Sequence, residues 1–445
     1  KFTGHTITSD SALGSAKIQR SLRFNTTDAD YLNRTIGTPT SNKILTFSCW
    51  LKTTKLGGDG KSIFLAQGSG QNGADQILTL NSDSELFFQG SDSGIYGRWE
   101  GTTRLIRDSS AWYHIVVKVD TTVGTNGVTF YVNGEVASGT WVTTLPQNQS
   151  LSGSSNGATH HVGKGLSSYP SQQAFSGYLA EVNFIDGQAL DPSYFGFTEP
   201  MTGIWMPKRY EGTYGTNGFY LDFNDNSSTA ALGIDRSPNG NDFTVNNLSV
   251  TAGEGNDSLE DTPTNNFCTM NSLHPTPSAT WANGNLDLSG SSATSYSQNN
   301  ISTFGVSSGK WYAEVKYTFG GTNNTYVGVC PTKYSASTNM TSTVTDAAVL
   351  RMSNETYIEG SDTANIFPSG ISSGDTIGIA LDMDNQKLWF SVQGTYANSG
   401  DPATGTNAIF SGITAGETMA ICGRPLNGTL NFNFGQRPFS YTPPL

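Results

Sequence analysis

Short alternating segments, cut every few residues by glycine, asparagine, aspartate or serine, steer this chain toward an all-β fold. Glycine occurs 51 times in 445 residues, and it weakens a helix interior while easing turns that need positive φ. Between the turns lie strand-length runs. Leu45-Thr46-Phe47-Ser48-Cys49-Trp50-Leu51, Trp112-Tyr113-His114-Ile115-Val116-Val117 and Val128-Thr129-Phe130-Tyr131-Val132 stand in the first half. Trp311-Tyr312-Ala313-Glu314-Val315, Thr376-Ile377-Gly378-Ile379-Ala380-Leu381 and Lys387-Leu388-Trp389-Phe390-Ser391-Val392 stand in the second. Phe47, Cys49 and Leu51 alternate with polar neighbours, the period of a strand with one buried face. Asn133-Gly134 predicts a type I′ hairpin, because both residues must take positive φ. Asp384-Asn385 reads as a second tight hairpin loop, and the one helical turn expected is at Asp191-Pro192-Ser193-Tyr194.

The length exceeds what one core supports, and about 100–200 residues per domain implies two or three units. The reading is two tandem antiparallel β-sandwich, jelly-roll-like domains at 15–195 and 263–445. An N-terminal extension (1–14) precedes them and an irregular connector (196–262) joins them. Within that connector Phe219-Tyr220-Leu221-Asp222-Phe223 looks like a strand that must pack somewhere. A net charge of −12 argues against a nucleic-acid partner, which would need a basic face. No run approaches the roughly 20 apolar residues of a membrane span, so no membrane partner is expected. No signal peptide is expected behind Lys1-Phe2-Thr3-Gly4, and the missing initiator Met implies processing or a start within a longer product. Cys49, Cys268, Cys330 and Cys422 lie far apart without metal-ligand spacing. Cys330 and Cys422 could neighbour one another on a sheet, but buried free thiols are the favoured state.

Two blocks carry family resemblances. Trp112 to Asp120, Val128 to Gly134, and Phe175-Ser176-Gly177-Tyr178-Leu179-Ala180-Glu181-Val182-Asn183-Phe184 occur in the order and spacing of the laminin-G/concanavalin-like jelly-roll family. The likeness covers about residues 15–195. Ser308 to Val315, Gly374 to Asp382, Lys387 to Ser391 and Asn431 to Phe439 resemble the SPRY family of β-sandwiches, over about 263–442. The tandem, joined by Phe219–Phe223 and Asp235–Phe243, is similar to structural proteins of marine bacteriophages. That resemblance implies a virion surface protein (fibre, decoration or adhesin), extracellular, held by other virion proteins and contributing to host attachment. A homo-oligomer is expected, since low charge and many Ser, Thr and Asn strand residues suit subunit packing.

Concanavalin-like folds also host glycoside hydrolases, in which retaining chemistry needs two carboxyls about 5–5.5 Å apart. Asp382 and Asp384 have i, i+2 spacing but run into a turn, and Glu355 and Glu359 are too far apart on a strand. No nucleophile triad or phosphate loop is recognisable, and Gly163-Lys164-Gly165 lacks the Walker spacing. His114 reads as a packed core histidine, and His160-His161 as rings on opposite faces that cannot chelate together. His274 lies before Pro275 in a loop. No catalytic, metal-binding or cofactor residues are assigned. Calcium is the one cofactor weighed: Asp222, Asn224, Asp225 and Asn226, and Asp235, Asn239, Asn241 and Asp242, cluster as oxygen donors. Asx turns account for both clusters without an ion. For a host surface glycan, the candidate ligand-binding residues are Tyr96 and Trp99 among the small and polar residues of Gly90–Glu100, with Tyr169 before Pro170 a weaker one. The function expected is therefore a non-enzymatic virion surface protein. The alternatives are a lectin-like, carbohydrate-binding adhesin or a glycan-cleaving enzyme of concanavalin-like fold.

Overall fold

The computed structural model describes residues 3–6, 16–55, 60–68, 74–92, 95–164, 172–274, 279–290, 299–319, 325–342 and 344–444. The chain divides into two units, one of residues His5–Asn266 and one of Phe267–Leu445 with Lys1–Gly4. Most of the extension expected at 1–14 falls outside the described residues.

The first unit is a sandwich of two large, mainly antiparallel sheets. One sheet runs Glu135–Val136, Val128–Val132, Tyr113–Asp120, Ile44–Thr53, Gly177–Asp186, Ser21–Phe24 and Ser258–Leu259. The other runs Gly139–Thr143, Ile95–Leu105, Glu85–Asp92, Ala74–Leu80, Gly60–Gln67, Thr159–Val162, Tyr31–Thr35 and Thr244–Asn246. Alternation turns Phe47 of the first sheet and Phe64 of the second toward each other, and their rings stack at 4.5 Å. Phe130 and Trp99 stack across the same core at 4.4 Å. Asn133 and Gly134 take φ of 49° and 83°, and Val132 pairs with Glu135 across them, the expected two-residue hairpin. Asp191 caps the expected helical turn, a 3₁₀ turn at Pro192–Tyr194, by accepting from Ser193 N. Three further 3₁₀ turns, at Ser152–Ser154, Ala230–Gly233 and Ala397–Ser399, had no sequence signal.

Residues 196–262, read above as a connector, are integral to this sandwich. Phe219–Leu221 pairs with Gly177–Asp186, Thr244–Asn246 with Tyr31–Thr35, and Ser258–Leu259 with Ser21–Phe24. Phe219, Phe243 and Leu248 join the central core. Two buried ion pairs tie the end of the segment down: Arg23 to Asp257 and Lys52 to Asp261, each at 2.9 Å. The segment's many turn residues build ordered Asx loops between these anchors. Asp235, for example, accepts from the backbone N–H groups of Tyr220, Ser237 and Asn241.

The second unit is again a two-sheet sandwich. Its larger sheet runs Ala279–Ala282, Asp287–Gly290, Gly428–Asn433, Lys310–Phe319, Thr376–Asp382, Lys387–Val392 and Thr395–Tyr396. The smaller runs Asn300–Ile301, Met419–Arg424, Tyr326–Pro331, Ala348–Arg351, Glu355–Ile358 and Ser361–Ala364. Close sheet packing is visible at Gly423, where an added Cβ would meet Phe432 at 3.0 Å and Leu430 at 3.1 Å. All four cysteines are buried, as thiols and not disulfides. Cys330 and Cys422 lie on paired strands, offset in register: Cys330 faces Ala420 and Cys422 faces Gly328.

Candidate functional site

Of the two aromatics expected to meet a glycan, one stays at the surface. Tyr96 is half exposed, beside an equally exposed Ile95. Trp99 is 5% exposed and belongs to the core, which corrects its assignment as a ligand-binding residue. The stretch Gly90–Glu100 belongs to the strand pair Glu85–Asp92 and Ile95–Leu105, with 93–94 outside the described residues. Its glycines serve packing: an added Cβ on Gly97 would meet Leu145 at 2.5 Å, and on Gly139 of the neighbouring strand would meet the Trp99 ring at 2.1 Å. Alternation then sends Trp99 inward while Arg98 lies over Phe87, 5.1 Å from the ring centre. Tyr169 and Pro170 lie outside the described residues.

The four histidines from His114 to His274 serve structure. Trp205 Nε1 donates to His114 Nδ1 at 3.0 Å, so His114 Nε2 carries the proton and donates to Ser48 Oγ at 2.9 Å. Burial pushes the His114 and His160 imidazoles down to about 3, so both are neutral in ordinary buffers. His160 packs edge-on against Phe64 and Phe184, while His161 neighbours Tyr31. His274 spans a loop, its ring nitrogens 3.0 and 3.1 Å from the carbonyls of Asn299 and Tyr334.

The carboxylates weighed for catalysis are each engaged separately. Glu355 pairs with Arg351 at 3.0 Å, and Glu359, at φ 50°, accepts from Asp346 N. Asp384 accepts from Gly309 N. Asp382 organises a four-residue loop, Met383 to Gln386, by accepting from the N–H groups of Asp384 and Asn385. Gln386, rather than Asp384 or Asn385, supplies the left-handed residue there, at φ 54°. Of the oxygen clusters weighed for calcium, Asp222 accepts from Asn224 N and Asp225 from Ser227 N. Among the described residues, no group of three or more His, Cys, Asp or Glu is placed to hold a metal ion.

A shallow cleft, open to solvent, lies on the outer face of the second unit's larger sheet. Register explains its floor. Lys310 stands opposite Asp382, Tyr312 opposite Ala380, and Ala380 opposite Trp389. Residues paired across a sheet share a face, so these five side chains lie together. Pro402 forms one wall, and Pro443 with Pro444 of the C-terminal segment another. The Glu314 carboxylate fastens that segment by accepting from Ser440 N at 2.7 Å and Tyr441 N at 2.8 Å. Tyr312 gives its hydroxyl to Glu314 at 3.2 Å, and Trp389 its indole N–H to the Thr406 carbonyl at 2.8 Å. Both rings are packed: Trp389 is 1% and Tyr312 4% exposed, so they close the floor of the cleft beneath its surface. Burial alone would raise the Asp382 carboxyl, but hydrogen bonds from Asn385 and the Lys310 charge outweigh it and hold it below the usual range. Sequence reading passed over this cleft, treating Lys310 and Trp389 only as family strand residues.

A second unusual carboxylate sits in the first unit. Glu181 occupies a bulge where pairing with Ile44–Thr53 shifts register between Ala180 and Asn183, and it takes φ 51°. Tyr220 donates its hydroxyl to Glu181 Oε2 at 2.7 Å. Burial pushes this carboxyl up to about 7, against the lowering effects of Tyr220 and Arg209.

The family of concanavalin A-like lectins and glucanases, in its Laminin_G_3 form, matches residues 26–193, and the SPRY domain matches residues 310–437. The two domains stand in tandem. No curated protein matches the chain. Among solved structures, it is similar to the SPRY domain of human HERC1, at 19% identity over 38% of this chain and 99% of that one, with a TM-score of 0.29. A putative carbohydrate binding protein from Bacteroides ovatus is similar at 16% identity over 52% of this chain and 59% of that one, with a TM-score of 0.33. A heptameric SAP-like pentraxin from Limulus polyphemus is similar at 16% identity, covering 40% of this chain and 81% of that one, with a TM-score of 0.29.

Proposed function

We propose that this protein is a non-enzymatic adhesin that binds carbohydrate through the SPRY-unit cleft. The observation that carries the reading is the make-up of that cleft: proline walls and one lysine–aspartate pair at the end, above a floor closed by the packed Tyr312 and Trp389 rings. Apolar surface with a few fixed polar groups suits recognition of a compact ligand. It does not suit glycoside cleavage, which needs one carboxyl held protonated as an acid. Asp382 is held ionised by its hydrogen bonds, and Glu314 is buried against the terminal segment. We further propose that the protein is displayed on a virion surface, as an oligomer attached to other virion proteins. Its rigid sandwiches would then present recognition surfaces to a host.

The full chain, displayed multivalently on a glycan array, is expected to retain at least one saccharide and to release no reducing sugar from polysaccharides. Failure to retain any saccharide at high avidity, or turnover of one, would overturn the proposal.

A further inference from the structure

We infer that the first unit carries the site of a covalent cross-link, an amide bond between the side chains of Lys52 and Asn266, with Asp261 as proton carrier. Lys52 lies in Ile44–Thr53, the central strand of its sheet, and Asn266 is the last residue of the unit. The lysine ammonium donates to Asp261 Oδ2 and to Asn266 Oδ1, each at 2.9 Å. Nucleophile, proton acceptor and acyl group thus meet at one atom. Asn266 Nδ2 donates to the Ser110 carbonyl at 2.8 Å, which fixes the amide oxygen on the lysine. Trp112 Nε1 donates to Asp261 Oδ1 at 3.0 Å and holds the other carboxylate oxygen. The Tyr178 ring centre lies 5.7 Å from the ammonium. Lys52, Asp261 and Tyr178 are fully buried, whereas Asn266 is half-buried and leaves a way out for a small product. A buried lysine–carboxylate pair alone is ordinary structure; the side-chain amide as third partner on the same ammonium sets this one apart.

A lysine becomes a nucleophile once a neighbouring base takes its extra proton. Asp261 is placed to take it across 2.9 Å, in a site closed to water. Asn266 Cγ is one C=O bond beyond Oδ1, so it lies within about 4 Å of Nζ. Near-attack contacts run to about 3–3.5 Å, and a rotation of the amide about Cβ–Cγ turns its face to the amine. The Nζ–Cγ bond forms and the Cγ–Nδ2 bond breaks. The proton first taken by Asp261 passes to Nδ2, ammonia leaves, and Asp261 keeps the second proton that Nζ sheds. Atoms and charge balance without an oxidant, a reductant or a cofactor. The product ties the end of the unit to its central strand, across 214 positions of sequence. It does so where the chain passes on to Phe267 and the second unit. A pull on that junction then meets a covalent bond in place of strand hydrogen bonds, whatever ligand the protein holds.

The test is the intact mass of the full-length wild-type chain, purified folded and held for days in neutral buffer. That chain is expected to be lighter than its sequence by one ammonia and to yield, after proteolysis, one branched peptide joining Lys52 to Asn266. On a denaturing gel it should migrate apart from the linear chain. N266A removes the acyl group and D261N the proton carrier, so each should keep the mass of its own sequence and the linear mobility. A wild type at full sequence mass with no branched peptide overturns the inference, and that result needs no variant to fold. An ammonia loss that persists in N266A overturns it too, because asparagine–glycine pairs elsewhere can shed ammonia by ring closure. Cross-linking that persists in D261N overturns the part given to Asp261.

Discussion

Replacing Glu181 with glutamine takes away a proton-binding group that folding has moved far from its ordinary behaviour. Its carboxyl rises from 4.5 to about 7 because it is buried at the bulge, with Tyr220 and Arg209 only partly compensating. Between those two values the folded chain holds a proton at Glu181 that the unfolded chain has lost. Stability from this group is therefore complete below pH 4.5 and falls as pH rises through about 7. At about 1.4 kcal/mol per pH unit, the gap corresponds to about 3 kcal/mol. The glutamine amide stays neutral at every pH and still offers an oxygen to the Tyr220 hydroxyl. E181Q should thus gain on wild type by about 3 kcal/mol between mildly acidic and mildly alkaline buffer. Urea titrations of both full-length chains, from about pH 4.5 to about pH 8.5, measure the difference. The Asp30 carboxyl, also raised to about 7, chiefly by burial, is present in both chains and cancels to first order. A stability difference that does not change with pH would refute the assignment of a protonated, buried Glu181.

Two further outcomes test the core. W99A should lose about 3–5 kcal/mol of stability, since it empties a ring-sized volume beside Phe130, whereas Y96A should shift it by no more than about 0.5 kcal/mol; thermal melts of the two variants compare them directly. D261N strips the counter-charge from Lys52, whose side chain and partner are both 0% exposed, and should cost about 3–5 kcal/mol in urea unfolding; a loss below about 1 kcal/mol would show that Lys52 finds other support.

Local patterning made much of the fold legible. Period-two alternation in Phe47–Leu51 marks a strand, because a strand's two faces meet different surroundings, and the short apolar run Trp112–Val117 has strand length. Asn133-Gly134 announced its hairpin, because backbone sterics at positive φ are a property of the residue pair itself. The same local reasoning failed at Gly90–Glu100 and at 196–262. A glycine that makes room for Leu145, as Gly97 does, and a glycine that makes a turn are the same letter, and an Asx residue that organises a loop looks like one in a loose linker.

The sequence alone determined the fold class and the two-sandwich organisation, since alternation, turn chemistry and charge act between near neighbours or over the whole composition. Tertiary structure decided that Trp99 is core and that residues 196–262 complete the first sandwich. It also lifted Glu181 toward neutrality and gathered Lys310, Tyr312, Asp382 and Trp389 around one cleft. Each of those depends on which groups far apart in the chain come within a few ångströms, and no local pattern encodes that distance.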